Sequence, residues 1–230
     1  MRRALAGEVG EEQLGVGKRP RLLGARDQLG GADGGGEAVS GEAGDATPAT
    51  VRGVIQLGDR NTSGITQRGD VQEALISQIG TDHNSTITQG GDGGSDHVAN
   101  VMPSGADNDS AVNQVGDGNT AIVTQSGDEN TSTINQAGDD QVAVVTQSGD
   151  DNRSNINQGT AGGSDHRAIV IQSGDDNGST VKQRGDNADA VVAQGGTDNK
   201  SDIDQGTQAN GSDQRARVTQ NGSESDSTVL

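Results

Sequence analysis

Glutamine recurs every 11 residues over most of this chain, and this period constrains the fold more than any other feature. The interval lengthens to 14 or 15 residues at three places, and Pro103 replaces glutamine at one expected position. A short, fixed period is typical of a solenoid, in which each unit stacks on its neighbours. The glutamines of the series are Gln56, Gln67, Gln78, Gln89, Gln114, Gln125, Gln136, Gln147, Gln158, Gln172, Gln183, Gln194, Gln205 and Gln220.

The residues between two glutamines are also regular. If the glutamine is position 0 of an 11-residue unit, position 2 is mostly Gly, position 5 is polar and position 9 is Ile or Val. Positions 5, 7, 9 and 11 alternate, so we expect them to lie on one side of a strand, with glycine in the turn. Stacked asparagines are expected at position 5, among them Asn61, Asn119, Asn130, Asn152, Asn177 and Asn199.

Position 7 indicates that the structural repeat is 22 residues long. Serine and alanine alternate there without exception from Ser63 to Ser227, so serine strands and alanine strands form two different walls. We predict an all-β solenoid of about eight coils over residues 51–230, each coil having two strands and two turns. The three longer intervals, 90–96, 159–165 and 206–213, all follow a serine strand. They predict insertions at one corner of the coil.

Composition alone indicates a different class of protein. The chain has no Phe, Trp, Tyr or Cys, a net charge of −18 and only 27% hydrophobic residues, which is typical of intrinsic disorder. Disorder does not explain the serine–alanine alternation. Residues 1–50 lack the period and include a glycine-rich run at 30–36, so we predict a disordered tail there.

The chain offers little for nucleic-acid or membrane binding. We interpret the short basic cluster of the tail as solvated, and no stretch is apolar enough to enter a membrane. The beginning Met1-Arg2-Arg3 is typical of a secretory signal, but acidic residues follow it closely, so we recognise no signal peptide. The basic cluster is Lys18, Arg19, Arg21 and Arg26, and the acidic residues are Glu8, Glu11 and Glu12.

Two groups of polar residues were considered as chemical sites. Asp128, Asp150 and Asp175 share position 3 in successive coils and should lie about 4.8 Å apart. They are weak candidates for a calcium site, and we favour a solvated acidic face that keeps the protein soluble. The three histidines, His83, His97 and His166, all occupy position 5, where an imidazole can replace an amide. We therefore predict no catalytic residues, no cofactor and no enzyme activity.

The outward position 8 of the alanine strands is unexpectedly apolar. Stacked, its side chains would form a stripe along one wall, and such stripes often mark contact surfaces. The alternative is simple β-propensity at outward positions. The candidate lateral contact consists of Leu75, Ile122, Val144, Ile169 and Val191.

The unit resembles the curlin repeat of curli fimbrial subunits, which are functional amyloids of bacterial biofilms. The resemblance rests on the pattern Q-x-G-x-x-N-x-(S/A)-x-x-x-Q, met at every fixed position by Gln114 to Gln125 and by Gln125 to Gln136. It extends over residues 51–230 and implies a secreted structural subunit that polymerises into cross-β fibres at the cell surface. In the same way, the resemblance implies a role in matrix formation and adhesion. It also implies a homopolymer, with a nucleator and secretion or chaperone proteins as partners.

The residues themselves also favour polymerisation. Stacked amides stabilise cross-β assemblies, and the last strand is expected to reach Val229 and Leu230 with no polar cap after it. An end of this kind leaves strand edges open, and a contact that does not close on itself makes filaments. The alternative is an acidic solenoid that binds calcium or a surface, as ice-binding or adhesin solenoids do, without polymerising.

Overall fold

Two parallel β-sheets form the walls of a regular coil. The computed structural model describes residues 29–30, 51–91, 94–159, 163–206 and 213–230, with the backbone alone at 29–30 and 51–52. Within these residues the regular elements are strands, and no helix is present. None of the described segments therefore offers a helix able to cross a membrane.

The alanine wall contains every second strand of the coil. Its strands are β2 (Val51–Leu57), β4 (Glu73–Thr81), β6 (Val98–Ala106), β8 (Thr120–Asp128), β10 (Val142–Ser148), β12 (Arg167–Ser173), β14 (Asp189–Thr197) and β16 (Arg215–Ser223). The serine wall consists of β3 (Thr62–Gln67), β5 (Asn84–Gln89), β7 (Asp109–Val115), β9 (Thr131–Ala137), β11 (Arg153–Gln158), β13 (Gly178–Gln183), β15 (Lys200–Gln205) and β17 (Asp226–Val229).

Each strand pairs in parallel with the equivalent strand of the next coil. Ala143 lies in register with Ala121 on one side and Ala168 on the other, and Ser154 lies between Ser132 and Ser179 in the same way. Equivalent positions of successive coils therefore stack on one another in both walls. The predicted all-β solenoid of about eight two-strand coils is confirmed.

The interior follows the predicted alternation of small, large and amide side chains. Positions 5, 7, 9 and 11 are buried from β3 to β15, as the burial of Asn61, Ser63, Ile65 and Gln67 in the first coil illustrates. Fourteen isoleucines and valines are buried, all at position 9, and they are expected to supply most of the apolar burial, at about 1.5–3 kcal/mol for each fully buried side chain. Amides close the core at both corners.

In the described part of the chain, one short N-terminal strand pairs with the solenoid. The predicted disordered tail, residues 1–50, lies outside the described residues except for β1 (Leu29–Gly30). This short strand pairs in parallel with Ile55 and Gln56, on the side of β2 away from β4. The division of the chain into a tail and a solenoid at residue 50 stays a prediction.

The insertions leave the coil at the corner that follows the serine wall, as predicted. Each begins at a glycine in position 1, namely Gly90, Gly159 or Gly206, with a φ of 70°, 67° or 79°. The regular pattern resumes at Gly94 and Gly163, which stack in the column of position-2 glycines. Parts of the insertions, including residues 207–212 of the third, lie outside the described residues.

Candidate functional site: the stacking interface between coils

Buried glutamines form a hydrogen-bonded ladder along each wall. On the serine wall, Nε2 of Gln67 donates to Oε1 of Gln89 at 2.8 Å, and equivalent bonds of 2.9–3.1 Å continue to Gln205. On the alanine wall, the ladder runs without a break from Gln125 to Gln220, with bonds of 2.8–3.0 Å. Every amide donates toward the following coil, so the ladders give the solenoid a direction.

The same glutamines also join the two walls. Nε2 of Gln147, on the alanine wall, donates to the carbonyl of Thr131 on the serine wall at 3.0 Å. Nε2 of Gln136, on the serine wall, donates to the carbonyl of Thr120 on the alanine wall, also at 3.0 Å. Because these groups are buried, losing one amide would leave several polar atoms unpaired, at a cost of about 1–3 kcal/mol for each.

Position 5 forms a second kind of ladder, from side chain to backbone. Oδ1 of Asn130 accepts the backbone N–H of Asn152 at 3.1 Å, and Oδ1 of Asn152 accepts that of Asn177 at 3.2 Å. Nδ2 of Asn152 donates to the carbonyl of Gly174. Each asparagine thus pairs one backbone donor and one backbone acceptor at the corner.

The three histidines occupy this ladder as acceptors. Nδ1 of His83, His97 and His166 accepts a backbone N–H of the following coil at 3.2, 3.4 and 3.3 Å respectively. All three rings are at most 1% exposed. Burial lowers the pKa of His97 and of His166 below the ordinary value of 6.5, because the charged ring would lose its hydration. At His97 and His166 the accepting Nδ1 and the lowered pKa both favour a neutral imidazole.

The aspartates considered for calcium stack at one corner and bind the backbone. Oδ1 of Asp150 accepts the N–H of Asp128 at 2.9 Å, and Oδ1 of Asp175 accepts the N–H of Asp150 at 3.1 Å. Oδ1 of Asp128 accepts the N–H of Ala106 at 2.9 Å. Each carboxylate is thus an acceptor for the coil before it. Across the described part of the chain, no three or more His, Asp or Glu side chains are grouped to hold a metal ion.

The backbone conformation of the corners explains why aspartate is also frequent at position 4, directly after the position-3 aspartates. Among the residues that the structure describes, fourteen non-glycine residues have a positive φ, between 49° and 59°, and all of them lie at position 4. Ten of them are Asp or Asn, whose short polar side chains tolerate the left-handed region best after glycine. This left-handed position was not predicted from the sequence, although its fixed distance to the position-2 glycine was an available signal.

Pro103 interrupts the alanine-wall ladder. The register between β4 and β6 skips the pairs at Met102 and Pro103, because proline has no N–H. Nε2 of Gln78 has no glutamine in the following coil to which it could donate. Oε1 of Gln125, which has no glutamine donor in the preceding coil, accepts a hydrogen bond from the hydroxyl of Ser110 at 2.6 Å. The seam between the second and third coils therefore lacks both a backbone pair and a glutamine ladder bond.

Restoring the glutamine should strengthen this seam. We expect Pro103→Gln to raise the free energy of unfolding by about 2 kcal/mol, since it adds a backbone hydrogen bond and two ladder bonds of about 1 kcal/mol each, less the proline's entropic benefit. Pro103→Ala restores only the backbone donor and should recover less. Urea unfolding of the three proteins measures the difference, and equal midpoints for all three would contradict the ladder's contribution.

The candidate lateral residues lie in one row on the outer face of the alanine wall. Leu75 is in β4, Ile122 in β8, Val144 in β10, Ile169 in β12 and Val191 in β14, and all five are half-buried. Consecutive members from Ile122 to Val191 are in register across the sheet. Asn100 and Arg217 interrupt the row toward its ends.

Comparison with known proteins agrees with the coil geometry. The curlin associated repeat matches residues 54–91, 105–138 and 127–159, and the interval between the first two matches contains most of the first insertion and Pro103. Searches of the curated proteins and of the solved structures found no match to the chain. Beyond residue 159 the ladders continue with the same bonds, as between Gln183 and Gln205. Residues 54–91 and 105–159 therefore carry the curlin associated repeat, whose family consists of structural fibre subunits.

Proposed function

We propose that this protein is a fibre subunit that self-assembles head to tail into curli-type amyloid. The observation that carries the proposal is the repetition of the coil interface: parallel strands meet in register from β2 to β17, with like residues stacked in the interior except at Pro103. An interface that already repeats within one molecule needs no new chemistry to form between two. A head-to-tail contact of this kind does not close and therefore builds a filament.

The ends of the described solenoid support this assembly. β16 and β17 are each last in their sheet, and β3 is the first strand of the serine wall, so these strands have one edge that pairs with no other described strand. Unpaired edges are templates for further strands. The ladder direction then fixes the order of addition: Nε2 of Gln220 in one copy meets Oε1 of Gln56 in the next.

Position 3, where the stacked aspartates lie, also has a matching pair of residues where two copies would meet. Asp59 occupies position 3 of the first coil, and Ser223 occupies the equivalent position of the last. In a stacked pair, the backbone N–H of Ser223 reaches the Asp59 carboxylate, as the N–H of Asp128 reaches Asp150 within one molecule. β1 lies on the same edge of β2, so an incoming copy has to displace Leu29–Gly30.

We place these fibres outside the cell, in a biofilm matrix or on the cell surface, because that is where curlin-repeat fibres act. A nucleator and secretion or chaperone proteins are proposed as partners on the same basis. Residues 1–50 are proposed to stay outside the fibre core as a tail.

Assembly is tested with the purified full chain. We expect a lag followed by thioflavin fluorescence, loss of the lag on adding preformed fibres, and a meridional fibre reflection near 4.7–4.8 Å. Backbone pairing along the fibre axis produces that spacing. A chain that keeps its β-sheet signal but stays monomeric after seeding would instead support the non-polymerising solenoid.

A further inference from the structure

The outer faces of the two walls differ in chemistry. At position 8 the alanine wall is apolar over its centre, and Val98 and Ile171 in the neighbouring rows are 37% and 45% exposed. The serine wall is polar or small at the same position. Its position-8 residues are Gly64, Thr86, Ala111, Thr133, Asn155, Thr180, Asp202 and Thr228.

Charge is also distributed unequally. The chain carries a net charge of −18, but the outer face of the alanine wall, over the described side chains of positions 6, 8 and 10, carries three basic and two acidic residues. Two of these, Arg167 and Asp189, form an ion pair at 3.2 Å. The other three lie toward the ends, with Glu73 in β4 and both Arg215 and Arg217 in β16. The acidic excess of the chain therefore lies outside this face, and repulsion between copies is weak there.

We propose that the alanine walls of two copies pair face to face with their stacking axes antiparallel. A twofold axis beside Val144 then relates the two copies, and Ile122 of one faces Ile169 of the other. Glu73 of each copy meets Arg215 of its partner, since both occupy position 6 at opposite ends of the wall. The contact is isologous and leaves the solenoid ends free.

Charge excludes the parallel arrangement. With parallel axes, each coil faces the same coil of the other copy, so Arg217 lies against Arg217 with Arg215 close by. Like charges placed across an interface repel each other and disfavour that arrangement. The antiparallel arrangement replaces this repulsion with two Glu–Arg contacts at the rim.

The wall is large enough for such an interface. Seven coils at about 4.8 Å and three outward rows give a face of about 34 by 18 Å. Pairing would bury about 600 Å² on each copy, or about 1,200 Å² in total, which reaches the lower limit of specific interfaces. In a fibre the face continues from copy to copy, so antiparallel filaments would bundle through it.

Cysteine cross-linking tests the pairing on soluble full-length protein, before any thioflavin response, so its outcome does not depend on fibre growth. The chain has no native cysteine, and a bis-maleimide reagent of about 10 Å spans two packed sheets. We expect Val144→Cys to cross-link to itself. The Leu75→Cys protein alone and the Arg217→Cys protein alone should not cross-link. A mixture of the two proteins should cross-link, because Leu75 of one copy faces Arg217 of the other. Asn155→Cys, in the same coil on the serine wall, is the matched control.

Two results would overturn the pairing. Self-linking of Leu75→Cys indicates parallel walls, and cross-linking at Val144→Cys no greater than at Asn155→Cys shows that the alanine wall is not an interface. In fibres, Val144→Lys with Ile169→Lys should give thioflavin-positive single filaments instead of bundles. The same double change at Asn155 and Thr180 on the serine wall should leave the bundles intact.

Discussion

Replacing Gly149 by alanine is expected to lower the free energy of unfolding by about 3 kcal/mol. Gly149 turns the corner between β10 and β11 with a φ of 101°, a conformation that L side chains rarely adopt. A Cβ there would lie 2.3 Å from the carbonyl oxygen of Gly174 in the next coil. Because that oxygen is backbone and belongs to the glycine column, the two coils would have to separate locally.

Gly178 provides the matched control. It lies in β13 with no positive φ, and a Cβ there would meet nothing closer than Cγ of Lys200, at 4.0 Å. Gly178→Ala should therefore raise stability by about 0.4–1 kcal/mol, because alanine restricts the unfolded chain. Urea unfolding of the soluble chain compares the two variants. Equal effects would mean that close stacking of the corners does not hold the coils together.

Mild acid is expected to destabilise the solenoid through His97 and His166. Burial is the main cause that lowers the pKa of both rings below 6.5, while Asp117, Asp96 and Asp139 beside His97 oppose the shift, as do Asp186 and Asp165 beside His166. The unfolded chain then binds more protons than the folded one, so stability is complete above about pH 6.5. It falls as the pH drops below that value, by up to about 1.4 kcal/mol per pH unit for each ring.

The hydrogen bonds give a structural reason for this loss. Nδ1 of each ring accepts a backbone N–H, and a protonated imidazole would place a donor against that donor. The double variant His97→Asn, His166→Asn keeps an acceptor at both positions. Its free energy of unfolding should therefore decrease much less between pH 7 and pH 5 than that of the unmodified protein. Urea midpoints across this range measure it. The same fall in both proteins would show that these histidines do not cause it.

The architecture could be predicted because the period leaves few choices. Serine–alanine alternation requires two walls, and a 22-residue coil then requires Gln to stack on Gln. The corners could not be derived in the same way, since their hydrogen bonds depend on backbone angles that side-chain patterns do not specify. Asp150 is an example: its position in a column was predicted, but its bond to the N–H of Asp128 required the corner conformation.

For the insertions and Pro103, too, the sequence predicted the location but not the local contacts. The sequence located both, and it placed all three insertions at one corner. It did not show that Gly94 resumes the glycine column, nor that Ser110 would fill the bond that Pro103 removes. Both depend on which atoms lie within reach once the coils are stacked.

Head-to-tail stacking of whole solenoids is tested most directly by a single spin label on Asn155→Cys in mature fibres. Each copy contributes about eight coils, so equivalent labels should lie about 38 Å apart. We predict a three-line spectrum without broadening between spins. A flat amyloid, in which every residue stacks on its own copy, would place the labels about 4.8 Å apart. The resulting single exchange-narrowed line would contradict the stacking of solenoids.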